Sequence, residues 1–214
     1  NSMIQFDNTV FEMNPDRVIT DIDTPLARVS IIDNYYKDFD AVRHELDKIP
    51  YVLTTNNNDD MFDGRKSYVG NMGGTYLPFV KDHAYMVKDI IEYNGELQTE
   101  DSLLINCNQM LTDRYIDEYY NPHTDPARSS DTISTVVMLN TSYEESEGLN
   151  TYDIAGTQFP LWMKRTELKL NTFIQAKPNR AILFSALLPH GAAFTTSQFR
   201  EEMRYTQVIF THLV

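Results

Sequence analysis

The segment that decides the fold is RYTQVIFTHL, residues 204–213. Successive side chains of an extended strand point to opposite sides, so the even-numbered positions from Arg204 to Phe210 fall on one face. That face begins with an arginine and a threonine and continues with a valine and a phenylalanine. The segment therefore predicts a strand whose first residues place polar groups inside a barrel and whose later residues join its apolar core.

Five further segments in the C-terminal half predict short strands, because each is rich in β-branched or aromatic residues. They are SLLINCNQML (102–111), STVVML (134–139), LNTYDI (149–154), TFIQA (172–176) and AILFS (181–185). Their close spacing suits an antiparallel sandwich or a closed jelly roll and does not suit alternating βαβ units. Residues 156–171 interrupt the strands, and we expect them to form an insertion.

The N-terminal half predicts elements that support this core. RVSIID, residues 28–33, has the composition of a strand. Asp38 or Asp40 could cap a helix that continues to Lys48. At 214 residues the chain is most simply one domain over 1–214, with 1–98 as support and 99–214 as a β-rich core. The expected fold class is thus mostly β, with helices in the N-terminal half.

Between the supporting elements lies a polar, glycine-containing segment, residues 51–76. Such composition predicts a long loop, which in compact domains is often a lid. A second helix is expected over 78–94, with Pro78 in its first turn and Asn94-Gly95 after its last turn. Histidines in the two predicted helices, His44 and His83, are expected to be solvated or to act as caps.

The formal net charge is −13 at pH 7, and the 18 lysines and arginines form no basic patch. Proteins that bind nucleic acids depend on such patches, so nucleic acids and anionic membranes are not expected partners. No apolar run reaches 18 residues, and the N-terminus lacks the pattern of a secretory signal. A lone cysteine, Cys107, excludes an internal disulfide and agrees with a cytoplasmic location. Nothing in the sequence indicates the oligomeric state.

The sequence His123-Thr124-Asp125, with His190 farther along, contains the ligand types of a facial metal site. On an extended backbone His123 and Asp125 point to the same side. Prolines on both sides of this segment restrict its backbone. His190 follows a buried-looking strand, where a histidine alone is more often a structural residue. The combination of all three predicts a metal site with open coordination positions.

Arg204 and Thr206 could bind a carboxylate, because the guanidinium and the hydroxyl lie on the same predicted strand face. A buried arginine needs such a partner. The alternative for Arg204 is an ion pair with an acidic residue of the protein. Arg200, in a predicted turn, is the rival anchor.

Four segments together resemble the iron(II)- and 2-oxoglutarate-dependent oxygenases, in particular their compact prolyl-4-hydroxylase-like branch from bacteria and phages. They are DRYIDEYYNPHTDPA (113–127), STVVMLNTSYEESEGLNTYDI (134–154), IQAKPNRAILFSALLPHGAAF (174–194) and REEMRYTQVIF (200–210). The resemblance covers about residues 100–212 and implies a double-stranded β-helix (a jelly-roll, cupin-like core).

The resemblance also implies roles for individual residues. His123, Asp125 and His190 would hold Fe(II), and Arg204 would pair with the distal carboxylate of 2-oxoglutarate, assisted by Thr206. Tyr115 would donate a hydrogen bond to this cosubstrate. With O2 as the oxidant, the implied reaction is hydroxylation of a C–H bond, with succinate and CO2 as coproducts.

The sequence departs from the family pattern where substrates usually enter. A single glycine, Gly148, stands where the family often has two, and the insertion at 156–171 is longer than in compact members. The substrate is therefore expected only to be a peptide or a small molecule. Residues that could line its pocket are Asn106, Gln109, Arg65, Tyr68, Trp162 and Arg200.

Three other hypotheses fit part of the pattern. The chain could be a non-catalytic β-sandwich that binds a metal or an anion. It could be a cupin-like enzyme that uses a metal without 2-oxoglutarate. A zinc hydrolase with the same ligands is a third option, although no residue resembles a dedicated general base.

Overall fold

The computed structural model describes residues 7–24, 27–53, 65–71, 79–99, 104–110, 123–125, 132–153, 170–193 and 198–214. Its strands are β1 (Val18–Asp23), β2 (Arg28–Asp33), β3 (Tyr51–Leu53), β4 (Arg65–Asn71), β5 (Leu97–Thr99), β6 (Leu104–Met110), β7 (Thr132–Met138), β8 (Gly148–Tyr152), β9 (Leu170–Gln175), β10 (Ala181–Ser185), β11 (His190–Ala193) and β12 (Arg204–Leu213). Its helices are a 3₁₀ turn (Asn8–Val10), α1 (Phe39–Leu46), α2 (Phe79–Ile90) and the short α3 (Gln198–Glu201). None of the described helices has the length and apolar composition needed to span a bilayer.

The strands form two antiparallel sheets. The large sheet has the order β1-β2-β10-β7-β12-β6-β4-β3, with β5 beside β12, and the small sheet has the order β11-β8-β9. An isolated bridge between His123 and His190 adds one more chain segment beside β11. From β6 to β12 the chain passes repeatedly between the two sheets. This connectivity is that of a double-stranded β-helix, and it confirms the predicted mostly β fold class.

Two apolar cores lie on opposite faces of the large sheet. One core packs the helices against the sheet and contains Val42 and Leu46 of α1 together with Val137 of β7. The other fills the space between the two sheets and contains Val136 and Met138 of β7. Because alternate residues of β7 join different cores, the face that carries Val136 and Met138 is the interior face of the double-stranded β-helix.

Local sequence signals place several elements where they were predicted. Strand β2 has the predicted bounds, Arg28–Asp33. Helix α1 begins after Asp38, whose side chain accepts a hydrogen bond from the N–H of Ala41 at 3.1 Å. Helix α2 ends at Ile90, a turn earlier than expected, and Glu92 just beyond it has a φ of 54°. A single residue in this left-handed region ends a helix.

The prediction that residues 51–76 form a loop is wrong for the parts of this segment that the structure describes. Strand β4 pairs with β6 along its whole length and also with β3. Gly70 was interpreted as a loop residue, but it lies in β4, where an added Cβ would come within 2.7 Å of side-chain atoms of Ile49 and Tyr51. Because glycine has no side chain, Ile49 and Tyr51 can pack directly against β4 at this position. This long-range packing outweighs the local preference of glycine for turns.

Candidate functional site

Backbone pairing brings together the three residues that were predicted as metal ligands. His123 and His190 exchange two backbone hydrogen bonds, of 2.8 and 3.0 Å. The N–H of Asp125 donates to the carbonyl oxygen of Ala186 at 2.8 Å, in the turn between β10 and β11. One short segment and one turn therefore fix the backbones of all three residues at the same end of the interior.

The side chains converge as their backbones do. One ligand atom from each of His123, Asp125 and His190 lies within 4.8 Å of the others. Nε2 of His123 is 3.3 Å from Oδ1 of Asp125, and Nε2 of His190 is 3.4 Å from Oδ2. The side chains of Asp125 and His190 are 8% and 4% exposed, whereas that of His123 is 29% exposed. The cluster is thus closed on the side of His190 and more open on the side of His123.

A hydrogen bond at Nδ1 of His190 leaves Nε2 as the ring nitrogen directed towards Asp125. Nδ1 lies 2.8 Å from the carbonyl oxygen of Leu188. A carbonyl only accepts, so Nδ1 carries a hydrogen, and Nε2 is the ring nitrogen that faces Asp125. Nε2 lies 3.4 Å from a carboxylate oxygen of Asp125 in a buried site, where either a proton or a metal cation can lie between the two atoms.

Asp125 is kept ionised by its surroundings. Burial alone would raise the pKa of its carboxyl group, but hydrogen bonds from His123, His190 and Ser134 hold that pKa well below its usual range. The hydroxyl of Ser134 donates to Oδ2 at 2.7 Å. Phe184 packs against the ring of His190, with 4.5 Å between the ring centroids. Two imidazoles and one ionised carboxylate form a nitrogen and oxygen donor set, which suits a divalent cation.

Strand register places the proposed anchor residues on the interior face. Thr206 lies opposite both Met138 and Asn106, and Arg204 lies opposite Asn108. Residues directly opposite each other share a face of the sheet, so all of them face the same interior as Met138. Arg204 is partly exposed, and Thr206 is buried.

Tyr143 is a further residue of the interior, and sequence reasoning missed it. Its ring packs against the core that contains Phe184, the residue that contacts the ring of His190. Burial raises the pKa of Tyr143 to about 12, against the lowering effects of a hydrogen bond with Asn140 and of the charge of Arg204. Only the tertiary contact identifies this residue, because the loop after β7 carries no recognisable motif.

The other candidate pocket residues fall into two groups. Gln109 and Tyr68 lie on the opposite face of the large sheet from Asn106, because Gln109 is an odd-numbered residue of β6 and Tyr68 lies opposite Cys107. The structure therefore does not bring these two residues to the site. The remaining candidates are Tyr115 and Trp162, together with the side chains of Arg65 and Arg200, and they lie outside the described part of the structure.

Two histidines that were not assigned to the site are buried. His83 was expected to be solvated or capping, and this is wrong: its side chain is fully buried, with Nδ1 2.8 Å from the hydroxyl of Tyr35. His83 lies on the apolar stripe of α2, which selects it for burial. His212 is also buried, and its Nδ1 lies 2.8 Å from the hydroxyl of Thr132.

Comparison with known proteins identifies the fold. No protein-family model matches the chain, and no curated protein matches it in sequence. HygX from Streptomyces hygroscopicus, solved with nickel, 2-oxoglutarate and hygromycin B, matches with a TM-score of 0.56 and 12% identity over 87% of this chain and 83% of that one. A Trichoplax adhaerens prolyl hydroxylase, solved with a peptide of hypoxia inducible factor, gives 0.52 and 15% over 86% and 83%.

The epimerase SnoN from nogalamycin biosynthesis, solved with Fe3+, alpha ketoglutarate and nogalamycin RO, also matches. Its TM-score is 0.53 at 11% identity, over 79% of this chain and 70% of that one. At such identities the similarity establishes the fold. The chain has the fold of these iron- and 2-oxoglutarate-dependent enzymes, as the sequence resemblance predicted.

Proposed function

We propose that this protein is an Fe(II)- and 2-oxoglutarate-dependent oxygenase. It would hydroxylate a C–H bond of a peptidyl or small-molecule substrate and release succinate and CO2. The observation that carries the proposal is the convergence of His123, Asp125 and His190, in which Nε2 of His190 faces the Asp125 carboxylate at 3.4 Å. His123 supplies the second imidazole, and together they form the nitrogen and oxygen donor set of a facial triad.

The donor set fits iron(II), which His123, Asp125 and His190 would hold. When bound, iron and 2-oxoglutarate supply the O2 activation that oxidation of an unactivated C–H bond requires. The residues of this chain fix the ligands: Leu188 orients His190, and Ser134 orients Asp125. Such outer hydrogen bonds set ring and carboxylate orientation before the metal arrives.

Arg204 would bind the distal carboxylate of 2-oxoglutarate. Its guanidinium can form two parallel hydrogen bonds to a carboxylate, which fixes orientation as well as position. Its place on the interior face, near Tyr143, supports this role. Thr206, on the same face of β12, would add a hydroxyl donor.

The substrate class rests on charge and on the solved structures with the same fold. A net charge of −13 is unfavourable for phosphate-rich substrates. HygX was solved with hygromycin B, and the Trichoplax enzyme was solved with a peptide. Both observations support a peptidyl or small-molecule substrate.

The proposed function is tested by following 2-oxoglutarate in air. The Fe(II)-loaded protein should convert 2-oxoglutarate slowly to succinate without substrate and faster when a substrate from a peptide and small-molecule library is present. His190→Ala should abolish this conversion, whereas Lys37→Ala, a change on an exposed side chain 57% accessible to solvent, should leave it unchanged. If the protein binds Fe(II) but never consumes 2-oxoglutarate, the metal-dependent cupin-like alternative replaces the proposal.

A further inference from the structure

The outward face of helix α2 carries an exposed aromatic side chain. His83, Met86 and Val87 lie on the inner face of this helix and are buried. Tyr85 points the other way and is 56% exposed. Aromatic residues are enriched where proteins contact one another, because a large ring buries much apolar surface while its hydroxyl can stay in water. Tyr85 therefore indicates a contact surface on the outside of α2.

Charged residues of opposite sign lie on the two sides of Tyr85. At 3.6 residues per turn, Lys81 and Lys88 lie roughly 40–60° around the helix on one side. Asp82 and Asp89 lie at about the same angle on the other side. Lys88 is partly exposed, and the other three residues are exposed. The outward face of α2 thus consists of a central aromatic ring between a lysine side and an aspartate side.

A groove runs along each side of this face. The groove on the lysine side has a volume of about 320 Å³ and lies between Tyr85 and the segment after α2, which contributes Glu96. The groove on the aspartate side has a volume of about 340 Å³ and lies between Tyr85 and the segment before β1, which contributes Glu12 and Arg17. Two lysines outweigh one glutamate in the first groove, and three carboxylates outweigh one arginine in the second. The two grooves therefore differ in the sign of their charge.

The four charged residues of α2 are not paired within the chain. In the described ranges, no ion pair involves Lys88, Asp82 or Asp89. Nζ of Lys81 lies 5.8 Å from the centroid of the Tyr85 ring. Charged residues stabilise a helix by pairing with opposite charges three or four positions away, and within α2 none of the four has such a neighbour. Their arrangement is therefore explained better by a contact outside the chain.

We propose that α2 forms a symmetric dimer contact with α2 of a second copy of this chain, with the two helices parallel. A two-fold axis parallel to the helices brings the lysine side of each helix against the aspartate side of the other. Lys81 then lies opposite Asp82 of the second copy, and Lys88 lies opposite Asp89 of the second copy. Each of these pairs is displaced along the axis by one residue, or about 1.5 Å. A two-fold axis perpendicular to the helices would instead bring lysine against lysine.

The aromatic ring and the charges have different tasks in this contact. Tyr85 lies closest to the two-fold axis, and the grooves beside it leave space for the ring of the second copy. Burial of the two rings stabilises the dimer, whereas the four ion pairs fix its orientation. Each chain carries a net charge of −13, so association without local charge pairing is opposed by repulsion. One helix from each chain makes a small interface, and the dimer is accordingly weak and reversible.

The contact is tested by sedimentation velocity over a range of protein concentrations in about 0.15 M salt, where charges farther apart than about 8 Å are screened. Wild type should show a monomer–dimer equilibrium. Lys88→Glu and Asp89→Lys should each weaken the dimer about tenfold or more, because one substitution makes two symmetric contacts repulsive. Lys177→Glu changes the net charge as Lys88→Glu does, but on the exposed turn between β9 and β10, and should leave the dimer unchanged.

Mixing the two single variants tests the pairing itself. In a mixed dimer, the glutamate introduced at position 88 of one chain faces the lysine introduced at position 89 of the other. The second pair of the mixed dimer is the wild-type pair of Lys88 with Asp89. The mixture should therefore form dimers about as tightly as wild type, although neither variant does so alone.

Tyr85→Ser should abolish the dimer and leave Tm nearly unchanged, because the side chain lies on the surface of the monomer. Several results would overturn the inference. Wild type that stays monomeric up to the millimolar range would exclude the contact. A dimer that survives Tyr85→Ser would use another surface. A dimer that Lys88→Glu or Asp89→Lys tightens would have antiparallel helices. A mixture of these two variants that stays monomeric would show that the charges do not pair.

Discussion

The hydroxyl of Ser134 on the large sheet donates a 2.7 Å hydrogen bond to Oδ2 of Asp125, whose own segment runs beside the small sheet. This bond joins the two sheets at the proposed metal site. It also occupies one lone pair of the carboxylate. The carboxylate is therefore oriented before any metal binds, with Oδ1 directed towards His123.

Ser134→Ala should weaken metal binding, because it frees the Asp125 carboxylate to rotate. Loss of such an outer hydrogen bond typically reduces metal affinity by about 10- to 100-fold. Anaerobic calorimetry with Fe(II) measures the effect. Thr135→Val is the matched control, since Thr135 is the next residue of β7 and faces His83 on the opposite side. Equal loss of affinity in both variants would show that damage to β7, and not the bond to Asp125, is responsible.

Arg204→Ala should reduce the affinity for 2-oxoglutarate by about 100-fold or more, because a charged carboxylate loses its bidentate partner. Fe(II) affinity should stay unchanged. The comparison with Arg200→Ala decides between the two candidate anchors, and this second variant should bind 2-oxoglutarate normally. If instead Arg200→Ala loses the cosubstrate and Arg204→Ala keeps it, the anchor is Arg200.

His83 should make the protein sensitive to mild acid. Burial, helped by the charge of Arg17, lowers the pKa of His83 to about 3 in the folded protein. The unfolded chain therefore binds a proton below about pH 6.5 that the folded protein does not bind, and stability falls as pH falls from there towards 3. Between pH 7 and pH 5 this group should cost about 2 kcal/mol.

Urea unfolding of wild type and of His83→Gln at both pH values tests this expectation. Glutamine can hydrogen-bond to Tyr35 or Thr135 but does not titrate. The variant should lose about 2 kcal/mol less than wild type on going from pH 7 to pH 5. An identical loss in both proteins would mean that His83 does not control the acid response.

Gly148→Ala should destabilise the junction of β8 and β9. A Cβ at this position would overlap the carbonyl oxygen of Ile174 on the neighbouring strand. Backbone cannot move aside as a flexible side chain does, so we expect a loss of about 2–3 kcal/mol in the free energy of unfolding. Chemical denaturation measures it. A loss within about 0.5 kcal/mol, as at an ordinary surface position, would contradict the predicted overlap.

Local patterns predicted the elements whose causes are local. Strand β2 follows from the composition of residues 28–33, and α1 follows from the cap at Asp38. Strand β4 could not be predicted in this way, because its glycine and polar residues resemble a loop until β6 and the side chain of Tyr51 are placed beside them.

The candidate site was also predictable only in part. The residue types and spacing of His123, Asp125 and His190 predicted a metal site from sequence, and the structure brings these side chains together. Which residues surround them depends on strand register, which sequence does not reveal. Register turns Gln109 away from the interior and turns Thr151 towards His190.

The decisive measurement is the anaerobic visible spectrum of metal-free protein to which Fe(II) and then 2-oxoglutarate are added. A weak charge-transfer band should appear only after both additions, and His190→Ala should abolish it. Such a band reports a keto acid chelating ferrous iron, which is the arrangement proposed for this site. Absence of the band from folded protein that has bound Fe(II) would contradict the assignment of 2-oxoglutarate. Failure to bind Fe(II) at all would contradict the metal site itself.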